Sequence, residues 1–126
     1  MSFRQALESR LAARVLARRT FHPHQGLHLF SSARGGSSWL MSMLSQLPGV
    51  VPVWEPLHTA KGVGRASWGD RPHNDALGSV DQEHLNAMMS GRMHNTWTAS
   101  RASAGQALHG QQLLFKYVRA NGLLPW

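Results

Sequence analysis

The chain has 126 residues, which corresponds to one small domain or to part of a larger one. Thirteen Lys and Arg residues outnumber six Asp and Glu residues, and this net charge of +7 favours anionic partners such as nucleic acid, phosphorylated or sulfated ligands and acidic membranes. The sequence contains no cysteine, which excludes disulfides and thiolate metal sites, and no apolar stretch approaches the roughly 18 residues of a membrane span.

Residues 1–22 are predicted to form a basic amphipathic helix as a separate unit. Apolar residues recur at helical spacing at Phe3, Leu7, Leu11 and Val15. Arginines recur on another face at Arg10, Arg14 and Arg18. We expect the apolar stripe to pack on the domain and the arginines to be solvated. An organelle transit peptide and a helix in peripheral contact with a membrane show the same pattern, so both alternatives stay open.

Residues 23–126 are predicted to form an α/β domain. In chain order the pattern indicates a strand at 26–31, a helix at 37–47, a strand at 50–54, a long loop at 56–79, a helix from 79 to about 93 and a strand at 112–118. Ser79 and Gln82 are a candidate capping box for the second of these helices. Strands that alternate with helices favour a parallel sheet.

Small residues around one arginine connect the first predicted strand to the first predicted helix of this domain. A helix that begins after a glycine turn directs unpaired N–H groups and the positive end of its dipole at the space in front of it. Gly35 and Gly36 permit a close approach to a ligand, Ser37 and Ser38 add hydroxyls, and Arg34 adds a fixed positive charge. These features predict a phosphate-binding loop. A glycine turn before a serine-capped helix, without any ligand, explains the same residues equally well.

Two further features limit the chemistry of this loop. It lacks the Walker pattern, and no nearby carboxylate is placed to hold magnesium, so an ordinary ATPase or GTPase is a poor fit.

Lys116 and Arg119 could steer an anionic ligand, but a solvated basic edge is an equally good interpretation. His58 is interpreted as a loop histidine rather than as a partner of a catalytic base.

The segment FSSARGGSSWLMSMLSQLPGVVPVWEPLH, residues 30–58, resembles the start of a sulfotransferase of the carbohydrate or bacterial type. In that family a strand leads into an R-[SG]-G-[ST]-[ST] loop, and the following helix ends in an [NS]-Q-x-P-G-V stretch, which is matched here by residues 45–50. A second strand then ends in an aromatic-Glu-Pro sequence, matched by Trp54-Glu55-Pro56. The segment FKYVRANGLLPW, residues 115–126, also resembles bacterial members.

The resemblance implies a P-loop-like sulfotransferase fold with a parallel sheet, truncated here after about three strands. It implies that 3′-phosphoadenosine 5′-phosphosulfate donates a sulfuryl group to an acceptor hydroxyl, that of a glycan, without a metal. Arg34 would neutralise the leaving phosphate, and Glu55 would act as the general base. The residues expected to bind the donor are Ala33, Arg34, Gly35, Gly36, Ser37, Ser38 and Trp39.

The sequence departs from the family in one respect. The family's second nucleotide motif, R-x-P-x-x-x-x-x-S, binds the 3′-phosphate, and it has no match in this sequence. The chain therefore resembles only the N-terminal portion of a sulfotransferase, either as a fragment or as a truncated product that has lost activity. Reduced solubility or dependence on a partner is expected of it. A cytoplasmic location follows from the bacterial resemblance. The alternative function is a non-catalytic basic protein that binds nucleic acid or an acidic membrane, although RNA-binding signatures are absent.

Overall fold

A computed structural model of the chain describes residues 2–31, 35–58, 60–64 and 79–117. The elements in order are α1 (Phe3–Ala17), a 3-10 turn (Pro23–Gln25), β1 (Leu27–Phe30), α2 (Ser37–Leu44), β2 (Val50–Trp54), α3 (Ser79–Met89), α4 (Ala104–His109) and β3 (Gln112–Tyr117). The predicted α/β class is confirmed, and the predicted bounds of β2 are those observed.

The three strands form a parallel sheet in the order β1-β3-β2, so the last strand in sequence is the central one. Strand β3 is buried from Leu113 to Tyr117, as expected for a strand that is covered on both faces. Pro52 lies within β2, where its missing N–H is tolerated because β2 pairs with β3 on one side alone.

The alternation of side chains along β3 divides the core into two clusters, one on each face of the sheet. Leu113 and Phe115 belong to the larger cluster, which also contains Leu16 of α1 and Met88 of α3. Leu114 belongs to the smaller cluster, together with residues of α2. Helix α2 therefore covers one face of the sheet, while α1, α3 and α4 cover the other.

Two helices end earlier than predicted. Helix α2 ends at Leu44, before the turn at Gly49 (φ 80°). Helix α3 ends at Met89, where Gly91 (φ 75°) accompanies hydrogen bonds from Gly91 N to Met88 O and from Arg92 N to Ala87 O. These two bonds form a Schellman cap, which closes the helix. The side chain of Ser79 lies outside the described part, as does most of the predicted loop at 56–79.

Helix α4 is absent from the predicted elements, because no element was predicted between the helix that ends at about residue 93 and the strand at 112–118. Its six residues are too few to show an apolar period, and Gly105 lowers its helical propensity. A capping box nevertheless marks its start, because Ser103 Oγ accepts from Gln106 N and Gln106 Oε1 accepts from Ser103 N.

The N-terminal helix packs on the domain, but of the predicted apolar stripe only Val15 packs against the core. Phe3, Leu7 and Leu11 of the expected core-facing stripe are 85, 48 and 42 % exposed. The buried residues of α1 are instead Ser9, Ala12 and Leu16.

Helix α1 is thus rotated about its axis relative to the predicted orientation. Polar contacts and small side chains explain this rotation. Ala12 is fully buried, and its small side chain permits a close approach to α4, which α1 contacts. Glu8 Oε2 accepts a hydrogen bond of 2.9 Å from Ala104 N, and Arg19 Nη1 donates one of 2.7 Å to Ala107 O. These two bonds join α1 and the following residues to both ends of α4 and fix which face is turned inward.

A pair of leucine substitutions tests the orientation of α1. We expect Leu16→Ala to lower the free energy of unfolding by about 3 kcal/mol, because it leaves a cavity in the core. Leu7→Ala in the same helix is expected to cost only about 0.5 kcal/mol, since the side chain is half in solvent. Urea unfolding followed by circular dichroism measures both values, and a larger loss for Leu7→Ala would contradict the observed orientation.

Candidate functional site

The described part of the predicted phosphate loop begins at Gly35, and Ala33 and Arg34 lie outside the described residues. Gly36 is the N-cap of α2 and has φ 81°, a left-handed conformation that favours glycine. Among the described residues no side chain caps this end of α2, and a Cβ at Gly36 would meet no atom within 4 Å. The N-cap glycine therefore leaves the described structure sterically open on its own side of the helix end.

The next three residues differ in exposure. Ser37 is buried, with 8 % of its surface exposed, whereas Ser38 is exposed and Trp39 is 68 % exposed. Only the Ser38 hydroxyl takes part in the polar cluster described next.

The side chains of Lys116, Glu55 and Ser38 meet at this end of α2 and are named here the Lys116 cluster. Lys116 Nζ lies 2.9 Å from Glu55 Oε1 and donates to Ser38 Oγ at 3.2 Å. The Lys116 and Glu55 side chains are only 5 and 18 % exposed. The ammonium also lies 4.0 Å from the centre of the Trp54 ring, a favourable cation–π distance.

The fold itself brings these residues together. Lys116 follows Leu114 at the alternate position of β3, so its side chain projects from the face of the sheet that α2 covers. Trp54 pairs with Lys116 in the register of β2 and β3, and Glu55 is the next residue along the chain. The carboxyl ends of parallel strands lie at one edge, which is where α/β proteins gather ligand groups. Two predicted site residues, Ser38 and Glu55, therefore contact one lysine.

Lys116 is the residue whose importance sequence reasoning missed. The alternative of a solvated basic edge is wrong for Lys116, which is 4 % exposed, while Arg119 lies outside the described residues. The sequence feature that indicates a buried lysine is a single charge inside the apolar run of residues 112–118. A lysine in a buried central strand requires a partner.

The backbone of Glu55 is strained. Its φ of 37° is the single positive value among the described non-glycine residues, and such a conformation costs on the order of 1 kcal/mol or more. Its carbonyl oxygen accepts from Trp97 Nε1 at 3.3 Å and from His58 N at 3.0 Å. These bonds hold the turn that directs the carboxylate towards Lys116.

A cavity of about 790 Å³ adjoins the cluster at Trp54. Its wall includes Trp54, Trp97 and three cationic side chains, and no carboxylate of the described residues lines it. Arg101 lies over the Trp54 ring at 4.3 Å and Lys61 lies over the Trp97 ring at 4.7 Å. The third cation is Arg10 of α1. The cavity therefore offers aromatic surface and positive charge to a ligand.

The His58 side chain supports the wall of this cavity. Its Nδ1 accepts hydrogen bonds of 3.2 Å from both Ala60 N and Lys61 N, and its ring packs edge-on against Trp97 at 5.0 Å. This arrangement agrees with the interpretation of a loop histidine. Within the described residues no group of three or more His, Cys, Asp or Glu side chains could hold a metal ion.

Comparison with known proteins gives no assignment: no family model, curated protein or solved structure matches this chain. The sulfotransferase resemblance consequently depends on the motifs of residues 30–58 and 115–126. The geometry of the Lys116 cluster is observed in the structure and does not depend on that resemblance.

Removal of one partner tests whether the Lys116 cluster is a buried ion pair. We expect Glu55→Ala to lower the free energy of unfolding by about 3 kcal/mol, because the ammonium stays buried without its carboxylate. The double variant Glu55→Ala/Lys116→Met is expected to recover most of that loss, since it removes both charges. Urea unfolding gives the values, with exposed Glu83→Ala as the control. A double variant no more stable than Glu55→Ala would contradict the pairing.

His94 lies at the start of the segment that carries Trp97 and Arg101, and it is buried in the neutral form. Burial lowers its pKa from 6.5 to about 4, against a smaller opposing effect of a hydrogen bond with the Gly91 backbone. Its Nε2 is buried without a hydrogen-bond partner among the described residues, and its Nδ1 lies 3.5 Å from Thr98 Oγ1. A proton on this ring would have to be desolvated, which disfavours the folded state.

This burial predicts a loss of stability in mild acid. Because the folded pKa lies below the unfolded value, the unfolded chain binds the proton first as the pH falls from 6.5 towards 4. We expect a loss of about 2 kcal/mol between pH 7 and pH 5 from His94. His94→Gln is expected to remove this dependence in urea unfolding at both pH values, while exposed His109→Gln retains it. An unchanged pH dependence in His94→Gln would refute the assignment.

Proposed function

We propose that this chain carries the donor half of a sulfotransferase site, which transfers a sulfuryl group from 3′-phosphoadenosine 5′-phosphosulfate to a hydroxyl of a carbohydrate. The observation that carries the proposal is the Lys116 ammonium, held between Glu55 and Ser38 at the start of α2. The resemblance supplies the identity of the donor. The finer fold proposal, a P-loop-like sulfotransferase fold, is supported by the parallel sheet with its loop between β1 and α2.

The residues of the loop fit a phosphosulfate group. Gly35, Gly36 and Ser38 are exposed at the start of α2, so backbone N–H groups and the Ser38 hydroxyl can donate to anionic oxygens. Arg34 precedes this turn and adds a cation that binds two oxygens at once. Trp39, which is largely exposed, offers an aromatic surface beside the same turn.

Charge neutralisation is the main task of such a site. Transfer of a sulfuryl group resembles phosphoryl transfer, in which positioning and electrostatic stabilisation supply most of the catalysis. Lys116 is already desolvated and held by Ser38, so its charge is in place before a ligand binds. With Arg34 it would stabilise the negative charge that develops on the leaving phosphate.

Glu55 is the proposed general base. Its Oε1 is bound to Lys116, whereas its Oε2 accepts no hydrogen bond among the described residues and is available to an acceptor hydroxyl. As the acceptor oxygen bonds to sulfur, the bond from sulfur to the phosphate oxygen breaks and the hydroxyl proton passes to Glu55. The strained backbone at this residue accords with a site that is held ready for its ligand.

The cavity beside Trp54 is the proposed acceptor site. Trp54 contacts both the Lys116 ammonium and the cavity, so a molecule there would lie next to the cluster. Aromatic rings pack against the apolar faces of sugars, and the side chains of Lys61 and Arg101 favour an acceptor that carries negative charge.

Calorimetric titration with adenosine 3′,5′-bisphosphate tests the donor site. We expect binding by the full chain, and Arg34→Ala is expected to weaken it about 30-fold because a charged hydrogen-bond donor is lost. Ser38→Ala is expected to weaken binding about fivefold. The matched controls, Arg92→Ala and Ser42→Ala, change the same residue types outside the cluster and should bind like the original chain.

Two results would overturn the proposal. One is the absence of binding by a chain whose circular dichroism shows that it is folded. The other is equal losses in the Arg34 and Arg92 variants, which would indicate nonspecific attraction to net charge. If the bisphosphate binds and the original chain transfers labelled sulfate to an acidic oligosaccharide, Glu55→Gln should retain binding and lose that transfer. Undiminished transfer by that variant would exclude Glu55 as the base.

A further inference from the structure

The exposed side of α1 is unusual in composition. Its apolar residues Phe3, Leu7 and Leu11 are exposed, and so are the arginines that surround them, Arg4, Arg14 and Arg18. At 3.6 residues per turn these six side chains fall within a sector of about 100°, opposite the buried Ser9, Ala12 and Leu16. We name this sector the outward face of α1.

No acidic side chain in the described part of the chain balances the outward face. Glu8, the one acid of the helix, accepts a hydrogen bond from Ala104 N beside α4, away from this sector. None of the three arginines forms an ion pair with another described residue. Apolar side chains and free cations therefore share one surface.

We propose that the outward face of α1 binds the surface of an anionic lipid membrane. Phe3, Leu7 and Leu11 would enter the boundary between headgroups and acyl chains, while the arginines bind lipid phosphates through their long side chains. The helix would lie in the plane of the surface. No helix among the described residues is long and apolar enough to cross a membrane.

The composition of the face favours lipid over two other anionic or apolar partners. A nucleic-acid backbone would satisfy the arginines but would leave Leu7 and Leu11 without an apolar environment. A second copy of this chain would bury the leucines but would bring like-charged arginines together across a two-fold interface. A lipid surface satisfies both groups because it offers phosphates above an apolar layer.

Cosedimentation of the full chain with vesicles tests this proposal. We expect binding to phosphatidylcholine vesicles that contain phosphatidylserine and little binding to phosphatidylcholine alone. Arg14→Gln is expected to lower the partition coefficient about fivefold, and Leu7→Ser about tenfold. Arg92→Gln and Leu108→Ser are the matched controls, since both residues are exposed and lie outside α1. These controls should bind like the original chain.

Three outcomes would overturn the proposal. The first is equal binding to both kinds of vesicle, and the second is an equal loss in Leu7→Ser and Leu108→Ser. The third is no vesicle binding together with binding of single-stranded DNA that Arg14→Gln weakens and Leu7→Ser does not, which would assign the face to nucleic acid instead. Circular dichroism of each variant distinguishes a loss of binding from a loss of folding. The result is independent of nucleotide binding at the Lys116 cluster.

Discussion

The buried ammonium of Lys116 is the constraint on which the arrangement of the sheet edge depends. A charge taken out of water costs several kcal/mol unless it is paired and hydrogen-bonded. Lys116 lies on the central strand, where it is 4 % exposed, so its partners must come from neighbouring elements. Glu55 after β2 and Ser38 in α2 supply them. The requirement to satisfy one charge thus determines how the end of β2 and the start of α2 approach β3.

The same contacts give the site its chemical character. The acid and the ammonium are both largely removed from water, so their orientation is set by the protein and not by solvent. The left-handed backbone at Glu55 is maintained by hydrogen bonds to its carbonyl from Trp97 Nε1 and His58 N, and Trp97 also lines the adjoining cavity. Strain in the turn is offset by this support. The polar cluster and the aromatic cavity consequently form one structure, coupled through Trp54 and the turn that follows it.

The sequence predicted those features that depend on residues close together in the chain. Strand β2 has its predicted bounds, and Ser38 and Glu55 were both expected at a site. The position of β3 between β1 and β2 depends on pairing across the whole chain, and so does the burial of Lys116. The rotation of α1 was mispredicted because the apolar stripe is more hydrophobic than the packed face, whose Ser9 and Ala12 contribute little to a periodicity. Close packing against α4 and the Glu8 hydrogen bond outweighed that periodicity.

The rotation of α1 also decides how the two proposed surfaces relate to each other. Gln5 and Arg10 of this helix line the cavity beside Trp54, whereas Phe3 and Leu7 point away from the core on the outward face. One short helix therefore borders the proposed acceptor site and carries the proposed lipid-binding residues. A chain that lies on an anionic surface through this helix would hold the cavity close to that surface. Acceptors displayed on the membrane would then reach the cavity at a higher local concentration than acceptors in solution.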